Sequence, residues 1–162
     1  MPNAENAPLI RPAEERDLPR VGELLLQVNE VHHEIRPDLF KTNSRKYNDE
    51  ELRAIFRDPE APVFVYETDG RVVGYAFCKI LKYLRSVNLV PITSLYLDDL
   101  CVDSAARGRG IGTALYRYVL DYAKRLGCHN VTLNVWEGND AALAFYRKCG
   151  MKVQRTCMET II

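Results

Sequence analysis

A glycine-rich turn with two arginines stands between an apolar run and an amphipathic segment, and it constrains the fold more than any other feature. The run LYLDDLCV, residues 95–102, has the composition of a buried strand, and RGRGIG, residues 107–112, follows it closely. Apolar residues then recur at helical spacing from Ile111 to Leu126. The order of strand, glycines and helix predicts a mixed α/β domain.

This turn has the features of an anion-binding site. Backbone N–H groups are free at a helix N-terminus, and the helix dipole adds about half a positive charge. Glycines let a ligand approach the backbone closely, and arginines donate to phosphate oxygens. The turn is neither GxxxxGK[ST] nor GxGxxG, because Thr113 stands where the third glycine belongs. We therefore predict a phosphate or pyrophosphate site that is not a P-loop.

Composition excludes several classes of protein. The chain has 162 residues and a formal net charge of zero, which predicts one domain over residues 1–162 and argues against a nucleic-acid or anionic-membrane binder. No apolar run approaches the roughly 20 residues of a membrane helix, and the start lacks a secretory signal. Five cysteines without CxxC spacing argue against structural zinc and favour a reducing cytoplasm.

Turn and capping residues divide the rest of the chain into short elements. Asp69-Gly70 between two β-rich runs is a strong hairpin signal, and Asp17 and Asn48 can cap helices. The remaining predicted elements are a strand at 9–11, helices after residues 17 and 48, a hairpin over 63–80, strands at 95–102, 131–136 and 151–162, and a short helix at 139–149.

Two motifs together resemble signatures of the GNAT superfamily of N-acetyltransferases. The turn matches R-x-x-G-x-G, that family's acyl-CoA pyrophosphate loop, and NDAALAFYRKCGM, residues 139–151, resembles its second signature. The resemblance implies the GNAT fold, which is a mixed, α+β-like α/β domain. We expect a central, mostly antiparallel mixed sheet of about six strands, about four flanking helices, and a splay between the strands at 95–102 and 131–136.

The resemblance also implies acetyl-CoA as co-substrate, without a metal, and gives the motifs their roles. Backbone groups of Leu100, Cys101 and Val102 should pair with the pantetheine arm like an additional strand. Asn139 should contact the pantetheine or cap the short helix. The backbone N–H groups expected to hold the pyrophosphate are those of Arg107, Gly108, Arg109, Gly110, Ile111, Gly112 and Thr113.

Acyl transfer from a thioester to an amine requires an acid for the departing thiolate and a donor for the oxyanion. Tyr146 is the candidate acid, because a phenol with a pKa of about 10 can protonate a thiolate of similar basicity. Its alternative role is that of a helix aromatic packed in the core. The oxyanion donor is expected to be a backbone N–H near Leu100 or Cys101.

The reaction also requires a base for the amine. Adjacent strand residues point to opposite faces, so at most one of Asp98 and Asp99 should face the amine. We prefer Asp98, which would share its face with Leu100, because an acid at this position serves as a base or holds a water in some relatives. The alternative is a hydrogen bond to a neighbouring loop or an arginine.

His32 and His33 follow the first predicted helix and are further candidates for the base or for acceptor binding, since a histidine titrates near neutral pH. Two histidines in a polar loop can equally be surface residues. Trp136 can line the acceptor pocket or be a structural tryptophan.

The implied reaction is acetyl transfer from acetyl-CoA to a primary amine by direct attack in a ternary complex. The acids at 98 and 99 favour a cationic acceptor: a polyamine, an amino sugar, an amino acid or a peptide N-terminus. A route through an acyl-Cys101 is disfavoured, because no histidine lies nearby in sequence. Two alternatives stay open: a non-catalytic acyl-CoA-binding or regulatory module, and a nicotinamide-dependent oxidoreductase that uses Glu137 for a ribose.

The tail MKVQRTCMETII, residues 151–162, contains no turn residues and ends without a further hairpin strand. An unfilled sheet edge promotes association. We therefore predict a homodimer, with the tail completing the partner's sheet.

Overall fold

A single sheet with helices against both faces is built from residues 7–162, the part of the chain that the computed structural model describes. The strands are β1 (Leu9–Pro12), β2 (Val63–Thr68), β3 (Arg71–Tyr83), β4 (Ile92–Val102) and β5 (Asn130–Thr132). The helices are α1 (Leu18–Ile35), α2 (Asp49–Arg57), α3 (Ile111–Arg125) and α4 (Asp140–Lys148). Within these residues, every helix is too short or too polar to span a membrane.

The five strands lie in the sheet in chain order. Strands β1 to β4 pair antiparallel, and β5 pairs parallel with β4. The turn between β2 and β3 is Asp69-Gly70, with φ angles of 51° and 69°, as a two-residue hairpin requires. The predicted hairpin and the mixed, mostly antiparallel sheet are therefore confirmed.

Two hydrophobic clusters hold the helices to the sheet. On one face, Leu115 and Val119 of α3 are fully buried against a cluster that includes Leu95. On the other face, Leu24 and Leu25 of α1 are fully buried in the second cluster. Each fully buried leucine contributes about 1.5–3 kcal/mol relative to an exposed one. The site residues on β4 are thus carried by a strand that is packed from both sides.

The sheet has five strands where about six were expected, because the tail is not a strand. Residues 151–162 have no helix or strand, and the side chains of Val153, Met158 and Ile161 are exposed. Strand β5 likewise ends at Thr132 instead of continuing to 136. A strand requires a neighbouring backbone for its hydrogen bonds. Neither segment forms such bonds with a strand in the described part of the chain.

Candidate active site

The glycine-rich turn is a row of free donors at the start of α3. Gly108 and Gly110 have φ angles of 78° and 77°, which only glycine adopts without strain. The first backbone bond of the helix runs from the Ala114 N–H to the Gly110 carbonyl, at 3.0 Å. Among the described residues, the N–H groups of residues 107–113 have no acceptor. They are available to a ligand, at the positive end of the helix dipole.

Contacts from two helices hold this turn in place. Before the turn, the Asp103 carboxylate accepts a backbone N–H of residues 104–106 at 3.1 Å and forms an ion pair with Arg20 of α1. Gln27 of α1 accepts another backbone N–H of the same segment, also at 3.1 Å. On the side of α4, a Cβ at Gly112 would lie 3.3 Å from the Phe145 ring. The turn is therefore braced, and Gly112 is required for close packing.

Strands β4 and β5 pair over only three positions and then separate. Their register joins Ser94 to Asn130, Leu95 to Val131 and Tyr96 to Thr132. Beyond that point, in the described chain, the edge of β4 that faces away from β3 is open. This is the splay that was expected between 95–102 and 131–136.

Alternation along β4 decides which backbone groups face the open edge. The Asp103 N–H donates to the Val73 carbonyl at 2.8 Å, so the backbone groups of Asp103 point toward β3. Bonding alternates in an antiparallel ladder, so Cys101 also bonds to β3, whereas Leu100 and Val102 face the open edge. The Val102 carbonyl accepts from Arg107 Nε at 3.3 Å, which agrees with this orientation. Cys101 thus departs from the expectation that all three present their backbone to a ligand.

A β-bulge lies in β4 where the strands have separated. Asp99 pairs with Phe77 and Leu97 pairs with Cys78, so Asp98 has no opposite residue in β3. A bulge adds one residue to a strand and interrupts the alternation of its side chains.

Because of the bulge, both aspartates face the side of α1. Asp98 accepts from the Tyr47 hydroxyl at 3.0 Å, and Asp99 accepts from the Tyr75 hydroxyl at 2.7 Å. Both tyrosines belong to the cluster on that side, whereas Leu100 packs on the opposite face. The expectation that Asp98 shares a face with Leu100 is therefore wrong.

Asp98 is enclosed by cations. Lys46 Nζ lies 2.7 Å and Lys79 Nζ 3.5 Å from its carboxylate, whose side chain is 7% exposed. Burial raises the pKa of Asp98, but the hydrogen bond from Lys46 and the two positive charges outweigh it, and the pKa falls below its ordinary value. A carboxylate held so firmly ionised is a weak base, which argues against the catalytic role expected for Asp98.

Asp99, in contrast to Asp98, has a raised pKa, as a general base requires. Burial raises its pKa to about 6, although the hydrogen bond from Tyr75 opposes the rise. It is partly exposed, and Tyr75 is its side-chain partner among the described residues. A carboxyl group that titrates near neutral pH is suited to take a proton from an amine.

Tyr146 of α4 packs against the hydrophobic cluster on the α3 side of the sheet. Burial raises its pKa, and the negative charge of Asp99 raises it further. Its ring packs against Phe145 and Tyr116, with centroids 5.0 and 6.1 Å away. Its hydroxyl has no partner among the described residues and is not sealed from solvent. The ring is therefore fixed, while the proton remains available to a ligand.

His32 and Trp136 both pack against Phe40, whereas His33 has another role. Helix α1 continues to Ile35, so both histidines lie in its last turn and not in a loop. The ring of His32 packs 5.0 Å from Phe40, which contacts Trp136 at 5.6 Å. Burial lowers the pKa of His32, and the charge of Lys46 lowers it further. His33 Nδ1 lies 2.6 Å from the Phe40 carbonyl and anchors that segment.

Two further residues have roles within the fold. Asn139 caps α4, since its side chain accepts the Ala142 N–H at 3.3 Å. The Cys101 thiol is buried and lies 3.6 Å from the Leu24 carbonyl. Burial raises the pKa of Cys101 to about 12, which disfavours the thiolate that an acyl intermediate would require.

The sequence did not predict three residues of the site: Lys46, Tyr47 and Tyr75. Lys46 comes from the irregular segment before α2 and is 52 positions away from Asp98 in sequence. Tyr75 lies in the middle of an apolar strand and has the pattern of a core residue. No local signal in the sequence marks any of the three.

Comparisons with known proteins agree with this geometry. A profile of the Acetyltransferase (GNAT) family matches residues 28–151. Glucosamine 6-phosphate N-acetyltransferase of Arabidopsis thaliana is 31% identical over 103 residues, which are 63% of this chain and 64% of that protein. Peptidyl-lysine N-acetyltransferase YjaB of Salmonella typhimurium is 34% identical over 114 residues, 70% and 66% of the two chains. An uncharacterised N-acetyltransferase of Methanocaldococcus jannaschii is 32% identical over 98 residues, 60% of this chain and 42% of that one. The chain spans less than two thirds of the length of each of these relatives.

Solved structures show the same fold. A mutant of the BH1408 protein from Bacillus halodurans superposes with a TM-score of 0.91 at 29% identity, over 95% of this chain and 99% of that one. The aminoglycoside N-acetyltransferase AAC(6')-Iy in complex with CoA has a TM-score of 0.71 at 16% identity, over 100% and 98%, a likeness of fold alone. With its profile match over residues 28–151, the chain belongs to the Acetyltransferase (GNAT) family.

Proposed function

We propose that this protein is an acetyl-CoA-dependent N-acetyltransferase that acts on a primary amine. The observation that carries the proposal is one continuous arrangement along β4. Free N–H groups at residues 107–113 follow the open edge of β4, Asp99 lies on the same strand, and the charge of Asp99 acts on Tyr146 of α4. The relatives named as acetyltransferases of glucosamine 6-phosphate and of peptidyl-lysine support the reaction type.

The same arrangement suggests how acetyl-CoA is held. The pyrophosphate would accept from the N–H groups of residues 107–113, with Arg107 and Arg109 beside it. The pantetheine would pair with the backbone groups of Leu100 and Val102, as a strand pairs with a sheet edge. Family membership favours this cofactor over a nicotinamide.

In the proposed mechanism, Asp99 replaces Asp98 as the base. Asp99 takes a proton from the acceptor ammonium, directly or through water, and the amine nitrogen attacks the thioester carbonyl carbon. Attack forms the C–N bond and an oxyanion, whose collapse breaks the C–S bond. The Tyr146 hydroxyl donates its proton to the departing thiolate, and the second proton that the nitrogen loses on becoming an amide returns to Tyr146. The Leu100 N–H, on the open edge, is the candidate donor to the oxyanion; such a donor contributes roughly 10²–10³-fold in rate.

The test is release of CoA thiol from acetyl-CoA with a panel of primary amines. We expect release that depends on the amine, no burst without it, and retained activity in Cys101→Ser, as direct attack requires. Binding of acetyl-CoA without release for any amine would favour the non-catalytic module instead. A burst without acceptor that Cys101→Ser abolishes would show a covalent route.

We also propose a homodimer. Strand β5 is at the edge of the sheet, and the tail, residues 151–162, exposes apolar side chains and pairs with no strand among the described residues. An extended segment of this kind can complete the edge of a second copy. Light scattering at micromolar concentration should give twice the chain mass, and deletion of residues 152–162 should give a monomer. A monomeric full-length chain would contradict the proposal.

One domain and a cytoplasmic location complete the proposal. The described residues share one sheet, in line with a single acetyltransferase domain over 1–162. All five cysteines have free thiols, which a reducing compartment preserves.

A further inference from the structure

The acceptor end of the site presents cations to solvent, although its sequence contains two adjacent aspartates. The side chain of Asp98 is 7% exposed, whereas those of Lys46 and Lys79, which contact it, are 47% and 46% exposed. An approaching acceptor therefore meets two ammonium groups before it meets the Asp98 carboxylate.

The charge of Asp98 is already compensated. Lys46, Lys79 and the Tyr47 hydroxyl all contact its two oxygens. Displacing one partner of an enclosed ion pair leaves the other charge uncompensated and is strongly unfavourable. To bind Asp98, a polycation would have to displace Lys46 or Lys79, and its other positive charges would be repelled by these lysines. The cationic acceptor that the two acids suggested in the sequence is thus disfavoured.

Lys46 is the cation best placed to contact an acceptor. Asp98 takes one of its three N–H donors at 2.7 Å, and the other two have no hydrogen-bond acceptor among residues 7–162. Its charge lowers the pKa values of His32 and of Asp99. Arg36 also lies at this end, over the Trp136 ring, but Asp38 and Glu159 neutralise it.

We propose that Lys46 determines acceptor specificity, and that the acceptor is a primary amine that also carries an anionic group, a phosphate or a carboxylate, bound by Lys46. The inference rests on the proposed acetyltransferase function and names the substrate class for it. When the anion binds Lys46, Asp98 keeps Lys79 and Tyr47 as partners. The charge of Lys46 also favours the reaction, because a neighbouring cation lowers the pKa of an ammonium group, as it lowers that of His32.

Matched pairs of acceptors test the proposal in the full-length protein. Glucosamine 6-phosphate is compared with glucosamine, glycine with glycinamide, and spermidine serves as the polycation. In the wild type, kcat/KM should be at least about tenfold higher for the anionic member of one pair, since a hydrogen bond to a charged group has an effect of this size. Comparison of the phosphate pair with the carboxylate pair shows which of the two anionic groups the site prefers.

Variants assign the preference to Lys46. In Lys46→Met the ratio within the preferred pair should fall to about one, whereas Lys46→Arg should keep most of it. Lys82→Met is the matched control, because Lys82 bonds to Glu60 at 3.0 Å, outside the site, and the ratio should stay at the wild-type value. The wild-type comparison alone decides the acceptor class, even if a variant folds poorly.

Failure of this inference differs from failure of the proposed function. If acetyl-CoA binds and glucosamine, glycinamide or spermidine reacts as fast as the anionic amines, the function stands and the inference fails. The inference fails equally if Lys46→Met leaves the ratio unchanged. If acetyl-CoA does not bind, the proposed function itself is wrong.

Discussion

Tyr75 donates its hydroxyl to the Asp99 carboxylate at 2.7 Å, from β3 to the bulge of β4. The tyrosine is fully buried, and its ring packs edge-on against Phe77 at 4.9 Å. A buried tyrosine hydroxyl requires a partner, and here the partner is the residue proposed as the base. The orientation of Asp99 is therefore fixed by a neighbouring strand as well as by its own.

Replacement of Tyr75 by Phe should move the pH dependence of the reaction. Asp99 acts as a base only when ionised, so kcat/KM should rise as the pH increases through about 6 in the wild type. The Tyr75 hydrogen bond favours the ionised form, and its loss raises the pKa of Asp99. The acidic limb of the kcat/KM profile should therefore shift to higher pH, with a larger loss at pH 6 than at pH 8.

Tyr47→Phe is the matched control for this shift, because Tyr47 donates to Asp98 and not to Asp99. It should leave the midpoint of the acidic limb close to the wild-type value. Equal profiles in Tyr75→Phe and the wild type would exclude Asp99 as the titrating base.

The two aspartates should differ in function when each is replaced by Asn. Asp99→Asn removes the proposed base and should lower kcat/KM by roughly 10²–10⁴-fold. Asp98→Asn leaves Lys46 and Lys79 without their counter-ion, so it should mainly lower the melting temperature. Steady-state kinetics and thermal unfolding of both variants measure this. A larger kinetic effect at Asp98 would restore it as the base.

Tyr146→Phe should slow the chemical step without weakening cofactor binding. The variant keeps the ring packing and removes only the proton donor, so kcat should fall by roughly 10²-fold or more. Tyr116→Phe is its control, because Tyr116 packs against Tyr146 but is itself 4% exposed. Calorimetric titration should give similar acetyl-CoA affinities for both variants. Unchanged kcat in Tyr146→Phe would remove its role as the acid.

Gly110→Ala and Gly70→Ala separate backbone strain from ligand binding. Both glycines have positive φ angles, 77° and 69°, and a Cβ at either would meet no atom within 4 Å. Each replacement should destabilise the fold by about 1–2 kcal/mol. Only the methyl group at 110 would occupy the space proposed for the pyrophosphate, so only Gly110→Ala should weaken acetyl-CoA binding. Equal affinities in the two variants would argue against that site.

Local patterns in the sequence were sufficient for much of the fold. The glycine-rich turn, the Asp69-Gly70 hairpin and the helical periodicity of α3 each depend on residues close together in the chain, and each is present in the structure. The tail is a different case. Its β-rich composition predicts a strand, but a strand forms only beside another backbone, and the described chain provides none.

The acidic pair shows why the site itself was harder to predict. Strict alternation assigns Asp98 and Asp99 to opposite faces, and one extra residue in β4 places them on the same face. Their different pKa values then depend on Lys46 and Tyr75, which lie 52 and 24 positions away in sequence. Such long-range contacts leave no periodic signal.

Thermal unfolding in the presence of acetyl-CoA, CoA, NAD or ATP tests the central claim most directly. A ligand at about one hundred times its dissociation constant stabilises the folded state by about 2.7 kcal/mol. For a domain of this size the melting temperature should rise by roughly 5–10 °C with acetyl-CoA and with CoA, and not with NAD or ATP. A rise with NAD, or with none of the four, would contradict the assignment of residues 107–113 as the acetyl-CoA pyrophosphate site.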